Sequence, residues 1–366
     1  MSGARPRPSG CVEACRGCRH RDLDDVASLA QKAAYLARVL APWRDSIEPI
    51  RAAARRLGYR DRVTLTAQAD PSGRWQFGLM RRDELIPIPD CPVHAERVRR
   101  LVHLLVERLP GPRQLPLAYL HVAGPQATLI VKAREVALDV DAGFASALEQ
   151  AGIEGLWVHG HPAAGRRLFA RSGWRLAWGH GESRDAHGLV HGPTAFLQAT
   201  PDLHRASLEA ACAYLRPGPG VAVLDLYCGL GAGLRTWSAA GSPALGVELS
   251  GEAVVCAVRN APSARLLRGT CAQRLPQVRD WWAEHGPYVR VAYVNPPRSG
   301  LEPEVLAVLA DELRPERLAY LSCSAGTLAR DLARAEAAGY RVDAIQPWDF
   351  FPNTHHVEAL ALVRRA

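Results

Sequence analysis

The C-terminal half of the sequence predicts a doubly wound α/β fold on a mostly parallel sheet, and three observations carry this prediction. Strand-like apolar runs alternate with helical segments, as they do where helices cover both faces of a parallel sheet. A glycine-rich turn follows the first of these strands, and a carboxylate ends the second. Because parallel strands end at one edge of the sheet, a Rossmann-like ligand site is expected at that edge.

The elements of this half can be placed from residue 203 onward. A helix comes first, and strands then alternate with helices. The predicted segments are the helix 203–215 and the strands 221–227, 244–249, 291–294 and 318–322.

The central part of the chain has a period of two, which is typical of strands. Apolar and polar residues alternate at 63–67 and at 75–79, and the turn Asp70-Pro71-Ser72-Gly73 lies between them, so a β-hairpin is predicted. Further strand-like runs occur at 127–132, 155–159 and 167–178.

A helix is predicted before this β-rich region, and Pro42 ends it. Its apolar residues recur at steps of three and four, so they are expected to form its buried face: Val26, Leu29, Ala33, Leu36 and Leu40. We therefore predict a cysteine-rich head with a helix (1–57), a β-rich domain (58–192) and an α/β domain (193–366).

The composition is that of a globular protein with a polyanionic partner. The chain has 366 residues, 48% hydrophobic and 22% charged, which suits more than one domain. It contains no apolar run of about 18 residues and no secretory signal, so we expect a cytoplasmic monomer without membrane contact. A net charge of +8 and a pI near 9.2 favour nucleic acid as partner, although such arginine-rich sequences are also typical of high-GC genomes.

The glycine-rich turn lies at 224–231 and reads Leu-Asp-Leu-Tyr-Cys-Gly-Leu-Gly. Glycines let a ligand approach the backbone there, and Glu248 at the next strand end can accept both ribose hydroxyls of an adenosine. A dinucleotide fingerprint would need glycine where Leu234 stands. Asp225 beside the glycines favours S-adenosylmethionine over NAD. The alternative is a structural turn with a solvated Glu248.

Two further strand ends carry reactive or polar residues. The turn Asn295-Pro296-Pro297-Arg298-Ser299-Gly300 is rigid, and its Asn295 amide can face substrate or cofactor. Cys323 ends the fourth strand, beside a helix start and arginines that should lower the pKa of its thiol and make it a nucleophile. From position alone, a buried structural cysteine is the alternative.

These segments resemble, in order, the motifs of the RNA uracil-5-methyltransferases over nearly the whole chain. The motifs are Phe196-Leu197-Gln198, 224–231, 295–300, Ser322-Cys323 with Thr327-Leu328-Ala329-Arg330-Asp331, and 351–358, which reads Phe-Pro-Asn-Thr-His-His-Val-Glu. The resemblance implies a Rossmann-like class I methyltransferase domain. It further implies that Gln198, Tyr227, Glu248 and Asn295 bind S-adenosylmethionine, that Cys323 is the nucleophile and that Glu358 is the base.

The implied reaction needs both of the last two residue types. Carbon 5 of uracil is a poor nucleophile, so a thiolate must add to carbon 6 and form an enolate that attacks the sulfonium methyl group. A base must then remove the carbon 5 proton before the thiolate leaves. Glu358, between Val357 and Ala359, suits this role if burial raises its pKa; the alternative is a glutamate on a terminal β-hairpin. The neighbouring His355 and His356 should point apart and bind no metal.

Three departures from the common family pattern indicate a subfamily. Asn295 replaces a frequent Asp, Ser324-Ala325 replace a frequent Asn-Pro, and Thr200 replaces a common Asn. Asn-Pro-Pro and a residue other than proline after the cysteine resemble the bacterial enzymes acting on 23S ribosomal RNA. RNA is thus the implied partner, with 23S rRNA favoured over transfer RNA.

Four cysteines outside the α/β domain suggest a metal site. Nine cysteines in a chain without a secretory signal argue for reduced thiols. Cys11, Cys15 and Cys18 lie together and Cys91 follows far downstream, and four thiolates can hold zinc or an iron-sulfur cluster. This grouping resembles the [4Fe-4S] site of the ribosomal family members, so we predict that cluster, with a role in folding rather than electron transfer.

Two other functions remain open from the sequence. An inactive iron-sulfur RNA-binding protein would not use Cys323 and Glu358, which both stand within full motifs. Methylation of an exocyclic amine is suggested by Asn295-Pro296-Pro297, but Arg298 stands where that chemistry expects an aromatic residue. The paired motifs favour the uracil methyltransferase.

Overall fold

The computed structural model describes residues 6–165 and 167–366 of the protein. These residues form two compact units. The α/β unit comprises Leu23–Ala54 and Thr200–Ala366, and the β-rich unit comprises 6–22 and Arg55–Ala199 without residue 166. The three-part division made from the sequence stays a prediction.

The helices and strands follow one another along both units. The helices are α1 (Asp25–Val39), α2 (Glu96–Arg108), α3 (Ala142–Gln150), α4 (Pro201–Leu215), α5 (Ala232–Ala239), α6 (Gly251–Asn260), α7 (Cys271–Glu284), α8 (Pro303–Ala307) and α9 (Ala325–Ala337). The strands are β1 (Arg62–Ala69), β2 (Trp75–Arg81), β3 (Glu84–Pro87), β4 (Leu117–Ala123), β5 (Gln126–Val131), β6 (Gly155–Gly160), β7 (Trp174–Gly179), β8 (Ser183–Arg184), β9 (Val190–His191), β10 (Val221–Leu226), β11 (Ala244–Glu248), β12 (Arg265–Arg268), β13 (Val289–Val294), β14 (Arg317–Ser322), β15 (Tyr340–Trp348) and β16 (Glu358–Arg365).

The α/β unit is built on one mixed sheet. Its strand order is β12-β11-β10-β13-β14-β16-β15. The first five strands are parallel, and β16 runs antiparallel to both of its neighbours. Helices α4 and α5 cover one face, and α1, α7 and α9 cover the other. The predicted doubly wound α/β fold is therefore confirmed, with an antiparallel hairpin added at its end.

Helix α1 buries a different face from the predicted one. Leu36 and Leu40 are fully buried as expected, but Val26 is 79% exposed. Lys32, which is not in the apolar pattern, is buried instead, because the Lys32 ammonium group forms an ion pair with Asp349 inside the unit. The apolar pattern predicted the wrong buried face because it could not include Lys32, a charged residue that is buried with its partner Asp349.

The β-rich unit has a sheet in the order β3-β2-β1-β4-β5-β6-β7, which α2 and α3 cover on one face. Its strands are antiparallel except for the pair β5 and β6. The hairpin of β1 and β2 confirms the predicted one. The predicted strand at 167–178 starts only at Trp174, since Gly173 has a φ of 87° and packs on Gly160, where a Cβ would lie 2.2 Å from the carbonyl oxygen.

Among the described residues, none of the helices combines the length and apolarity needed to cross a membrane.

Candidate active site

The predicted site residues of the α/β unit gather at the carboxyl edge of its parallel strands. The chain moves outward in opposite directions from β10 and β13, so a topological switch point lies between them. Tyr227 follows β10, Glu248 ends β11, Asn295 follows β13 and Cys323 follows β14. Glu358 begins β16, and because β16 is antiparallel to β14, its first residue lies at the same edge.

The glycine-rich turn after β10 depends on left-handed backbone. The φ angles of Tyr227, Gly229 and Gly231 are 60°, 54° and 80°. A Cβ on Gly231 would lie 3.0 Å from the Cβ of Ala257, so glycine lets α5 begin close to α6. Tyr227 lacks that freedom and is held by a hydrogen bond of 3.3 Å from its hydroxyl to Glu302 Oε2. Such local strain is typical of functional sites.

Glu248 supports the same turn from the end of β11. Its Oε2 accepts a hydrogen bond of 3.0 Å from Gly229 N, and its Oε1 accepts one of 2.7 Å from Ser250 N. Each carboxylate oxygen has a further lone pair. Glu248 can therefore hold the glycine turn and still accept hydrogen bonds from a diol.

Asp225 lies near the end of β10, but its side chain is buried. Its Oδ2 accepts a hydrogen bond of 2.8 Å from Trp237 Nε1 on α5. Burial raises the pKa of this carboxyl to about 7. Because side chains alternate along a strand, Asp225 points toward helix α5. In the sequence, this carboxylate was the reason to favour S-adenosylmethionine over NAD.

The turn at 295–300 is locked to α9 by several hydrogen bonds. Thr327 Oγ1 donates to the carbonyl of Arg298 at 3.3 Å, and Arg330 Nη2 donates to that of Ser299 at 3.2 Å. Gly300 has a φ of 78°, and a Cβ on it would lie 2.6 Å from Arg330 Nη2 and 2.7 Å from Asp331 Oδ2. The motifs at 295–300 and 327–331, separate in sequence, form one interlocked structure.

Asp331 is the buried centre of this structure. It is 2% exposed and forms an ion pair with Arg330 at 2.6 Å. Its Oδ2 accepts hydrogen bonds from Leu301 N at 3.0 Å and from the Tyr320 hydroxyl at 2.7 Å. These bonds fix the turn after β13 against β14, the strand that carries Cys323.

Cys323 is half-buried between β14 and α9, whose N-terminus is capped by Ser324. Burial raises the pKa of its thiol, and the nearby Glu358 carboxylate raises it further. The charge of Arg298 and its hydrogen bond to the sulfur act in the opposite direction. The prediction of a lowered thiol pKa was therefore wrong in its net direction, because burial outweighs the arginine.

Glu358 faces Cys323 across the sheet. Ser322 pairs with Ala359, so the next cross-strand positions are those of Cys323 and Glu358, on the same face. Glu358 is 5% exposed. Burial raises the pKa of its carboxyl to about 7, and Arg298 opposes the shift. Glu358 begins the second strand of a terminal hairpin and also lies beside the thiol, and its role as base stays a prediction.

Arg298 is the arginine that acts on both Cys323 and Glu358, and the sequence did not single it out among the arginines expected near the thiol. It is exposed, lies in the turn after β13 and interacts with both Cys323 and Glu358. Its position directly after two prolines, in a turn at the ligand edge, was the available signal.

A tight turn at 349–357 leads into Glu358. Thr354 Oγ1 donates to the Phe351 carbonyl at 2.7 Å, and Asn353 adopts a φ of 64°. The rings of His355 and His356 have centroids 4.1 Å apart, so the expectation that they point apart was wrong. The turn bends the backbone enough to bring consecutive rings together.

Gln198 belongs to the β-rich unit. It is half-buried, and its Oε1 is buried without a hydrogen-bond partner in the part of the chain that the structure describes. It stays a predicted cofactor ligand.

The four head cysteines all belong to the β-rich unit and are half-buried. Gly10 has a φ of 79° and packs so closely on Asp90 that a Cβ would lie 2.2 Å from the Asp90 carbonyl oxygen, which places the segments of Cys11 and Cys91 side by side. Burial and the other three thiols raise the pKa of Cys18 to about 11. Within 6–165 and 167–366, no three His, Cys, Asp or Glu side chains are arranged to hold a metal ion.

Comparison with known proteins shows that the chain is similar to RNA methyltransferases. The family model for tRNA (uracil-5-)-methyltransferase matches residues 286–366. The 23S rRNA (uracil(1939)-C(5))-methyltransferase RlmD of Thiobacillus denitrificans is 30% identical over 369 residues, which cover 96% of this chain and 83% of that protein. An uncharacterized RNA methyltransferase of Thermosynechococcus vestitus is 29% identical over 393 residues, covering 99% and 85%.

A solved structure shares the fold over nearly the whole chain. The Pyrococcus abyssi tRNA (uracil-54, C5)-methyltransferase, in complex with S-adenosyl-L-homocysteine, has a TM-score of 0.73 at 20% identity, covering 96% of this chain and 86% of that one. The fold is thus that of a methyltransferase. Within this class, the chain belongs to the RNA (uracil-C5-)-methyltransferase family, as its motifs predicted.

Proposed function

We propose that this protein transfers a methyl group from S-adenosylmethionine to carbon 5 of a uridine in 23S rRNA, through a covalent bond between Cys323 and carbon 6. The observation that carries the proposal is the pair Cys323 and Glu358, which face each other across β14 and β16 with Arg298 beside both. A thiol and a buried carboxyl in this position are the two groups that the reaction needs.

Cys323 acts first. Its thiolate adds to carbon 6 of the uracil, and the ring electrons move onto carbon 5 and the carbonyl oxygen at carbon 4 as an enolate. Arg298 favours the ionised thiol through its charge and its hydrogen bond. S-adenosylmethionine would supply the electrophilic methyl group: carbon 5 forms the new bond to it, the bond from sulfur to the methyl carbon breaks, and S-adenosylhomocysteine leaves.

Glu358 acts second. Its carboxylate removes the proton from carbon 5, the double bond between carbons 5 and 6 re-forms, and the Cys323 thiolate leaves. A buried carboxyl with a pKa of about 7 is a stronger base than an exposed one and is still ionised in part at neutral pH. Its burial therefore suits it to this step.

The cofactor is assigned to the switch point between β10 and β13. Glu248 would bind the ribose hydroxyls, and Tyr227 and Asn295 would line the same edge. Gln198, whose side-chain oxygen is buried and lacks a partner in the described structure, is proposed as a cofactor ligand from the family resemblance alone. The backbone of Gly229, which has no Cβ, allows a ligand to come close.

The substrate assignment rests on relatives. RlmD proteins of Thiobacillus denitrificans and Pseudomonas fluorescens, both named as 23S rRNA methyltransferases, are each 30% identical to this chain over almost its full length. The test is mass-spectrometric mapping of 5-methyluridine in both RNA classes from a strain without this gene. One 23S rRNA site should lose the modification. Loss from transfer RNA alone would assign the enzyme to transfer RNA.

The head is proposed to hold a [4Fe-4S] cluster on Cys11, Cys15, Cys18 and Cys91. The four thiols of a cube bind four different irons, so they enclose a larger volume than the ligands of a single ion do. The loop around Cys15 is already ordered by Arg21, which donates hydrogen bonds to the carbonyls of Cys15 and Glu13 at 2.5 and 3.0 Å. The cluster would join the head to the segment of Cys91, which supports a folding role.

A further inference from the structure

A buried ion pair lies at the base of the turn that leads into Glu358. Lys32 of α1 is fully buried, and its Nζ lies 2.5 Å from Asp349 Oδ1. The same Nζ donates a hydrogen bond of 3.2 Å to the carbonyl of Phe351. Both partners belong to the segment directly after β15, so one side chain of an N-terminal helix fixes the first three residues of the turn.

The Phe351 carbonyl is where this turn closes. It accepts hydrogen bonds from Lys32 Nζ at 3.2 Å, from Thr354 N at 3.2 Å and from Thr354 Oγ1 at 2.7 Å. His356 N in turn donates to Thr354 Oγ1 at 3.1 Å. A chain of contacts therefore runs from Lys32 through the turn to the residues immediately before Glu358.

The start of the turn is also held by backbone. Asp349 N donates to the carbonyl of Arg51 at 3.0 Å, so the segment after α1 and α1 itself hold Asp349 from two directions. A buried ion pair usually contributes little net stability, because removing both charges from water offsets their attraction. The contacts of Lys32 with both Asp349 and the Phe351 carbonyl fit a role in fixing the geometry of the turn.

We propose that Lys32 is a positioning residue for Glu358. This proposal rests on the function proposed above. The contacts of Lys32 with Asp349 and the Phe351 carbonyl hold the turn 349–357 in the one form that places the Glu358 carboxylate opposite Cys323. Lys32 acts through this geometry, since the charge that moves the Glu358 pKa comes from Arg298.

Two RNA probes separate the step that needs Glu358 from the one that does not. A 23S rRNA transcript containing 5-fluorouridine has no carbon 5 proton to remove, so it should stop at the methylated adduct and report Cys323 alone. A normal transcript needs both residues for turnover. Lys32→Met should leave the rate of adduct formation on the fluorinated RNA near that of the wild type, and slow turnover of normal RNA about tenfold or more, with methylated adduct accumulating.

Controls separate positioning from folding. Ser28→Ala changes the same buried face of α1 one turn earlier and should leave both rates unchanged. Lys32→Met leaves Asp349 buried without its partner, so the double variant Lys32→Met/Asp349→Leu should recover thermal stability. It should still accumulate the adduct, because the turn stays unfixed.

The outcomes distinguish the two proposals. The role of Lys32 would be overturned if the single and double variants lost adduct formation and turnover equally, or if the double variant turned over like the wild type. Either result would leave the proposed function standing. Absence of any adduct with the wild-type protein would overturn the proposed function, and the role of Lys32 with it.

Discussion

At the scale of single residues, Arg298 opposes the effect of burial on the pKa values of two neighbouring groups, the Cys323 thiol and the Glu358 carboxyl. Burial raises the pKa of both Cys323 and Glu358, and Arg298 lowers both. The two groups also act on each other, because the Glu358 carboxylate raises the pKa of the thiol. The thiol should therefore ionise more readily while Glu358 is protonated.

The resolution step should depend on pH through Glu358. The carboxyl has a pKa of about 7, so below that pH it is protonated and cannot accept the carbon 5 proton. The rate of adduct resolution should rise about tenfold per pH unit below the pKa and level off above it. Rapid-quench kinetics of a single turnover would measure this rate. A resolution rate that is flat through neutral pH would contradict the assignment.

Glu248 is expected to contribute to cofactor binding. Hydrogen bonds to a charged acceptor are worth about 1.5 to 3 kcal/mol, so Glu248→Ala should weaken S-adenosylmethionine binding about tenfold or more. Calorimetric titration measures the affinity. Glu209→Ala, which removes an exposed carboxylate on α4, is the matched control and should bind normally. Unchanged affinity in Glu248→Ala would remove this residue from the cofactor site.

At the scale of elements, the sequence predicts the inner parallel strands but not the outer parallel strand β12. Apolar runs placed β10, β11, β13 and β14, because each is buried on both faces. The position of β16 between β14 and β15 was not predictable. The pattern of apolar residues along a strand is the same whether the last strand of the chain lies inside the sheet or at its edge. Local patterns specify an element but not its neighbours.

The interlock between the turn 295–300 and α9 gives a test at this scale. Gly300→Ala puts a side chain at a φ of 78° and 2.6 Å from Arg330 Nη2, so it should destabilise the fold by about 1 to 3 kcal/mol. Gly326→Ala, on the exposed side of α9 with no atom within 4 Å, should be neutral or stabilise by up to about 1 kcal/mol. Urea unfolding measures both. Equal stability of the two variants would contradict the interlock.

At the scale of the whole molecule, the cysteines and α1 show the limits of reading along the chain. From the sequence, Cys91 could be grouped with Cys11 only by the number of thiols and by resemblance, whereas packing of Gly10 on Asp90 shows why the two segments meet. The buried face of α1 was mispredicted because Lys32 finds its partner more than 300 residues later, at Asp349. Contacts between such distant residues leave no local periodicity.

The proposed cluster predicts that the head carries iron. Protein purified without oxygen should be brown and contain about four irons per chain, and Cys18→Ser or Cys91→Ser should lose them. Metal analysis and absorption spectra measure this. Cys212→Ser, which changes a half-buried thiol in the other unit, is the control and should retain the iron. Stoichiometric zinc in a colourless protein would contradict the cluster.

The central claim is that Cys323 and Glu358 act at successive steps of one covalent reaction. The most direct measurement is denaturing electrophoresis of protein incubated with 23S rRNA and labelled S-adenosylmethionine. Glu358→Gln should accumulate a methylated protein-RNA band, because resolution without a positioned base is about 10²- to 10⁴-fold slower, and Cys323→Ala should give neither band nor product. Normal turnover by Glu358→Gln without a trapped species, or methylation of carbon 5 by Cys323→Ala, would contradict the mechanism.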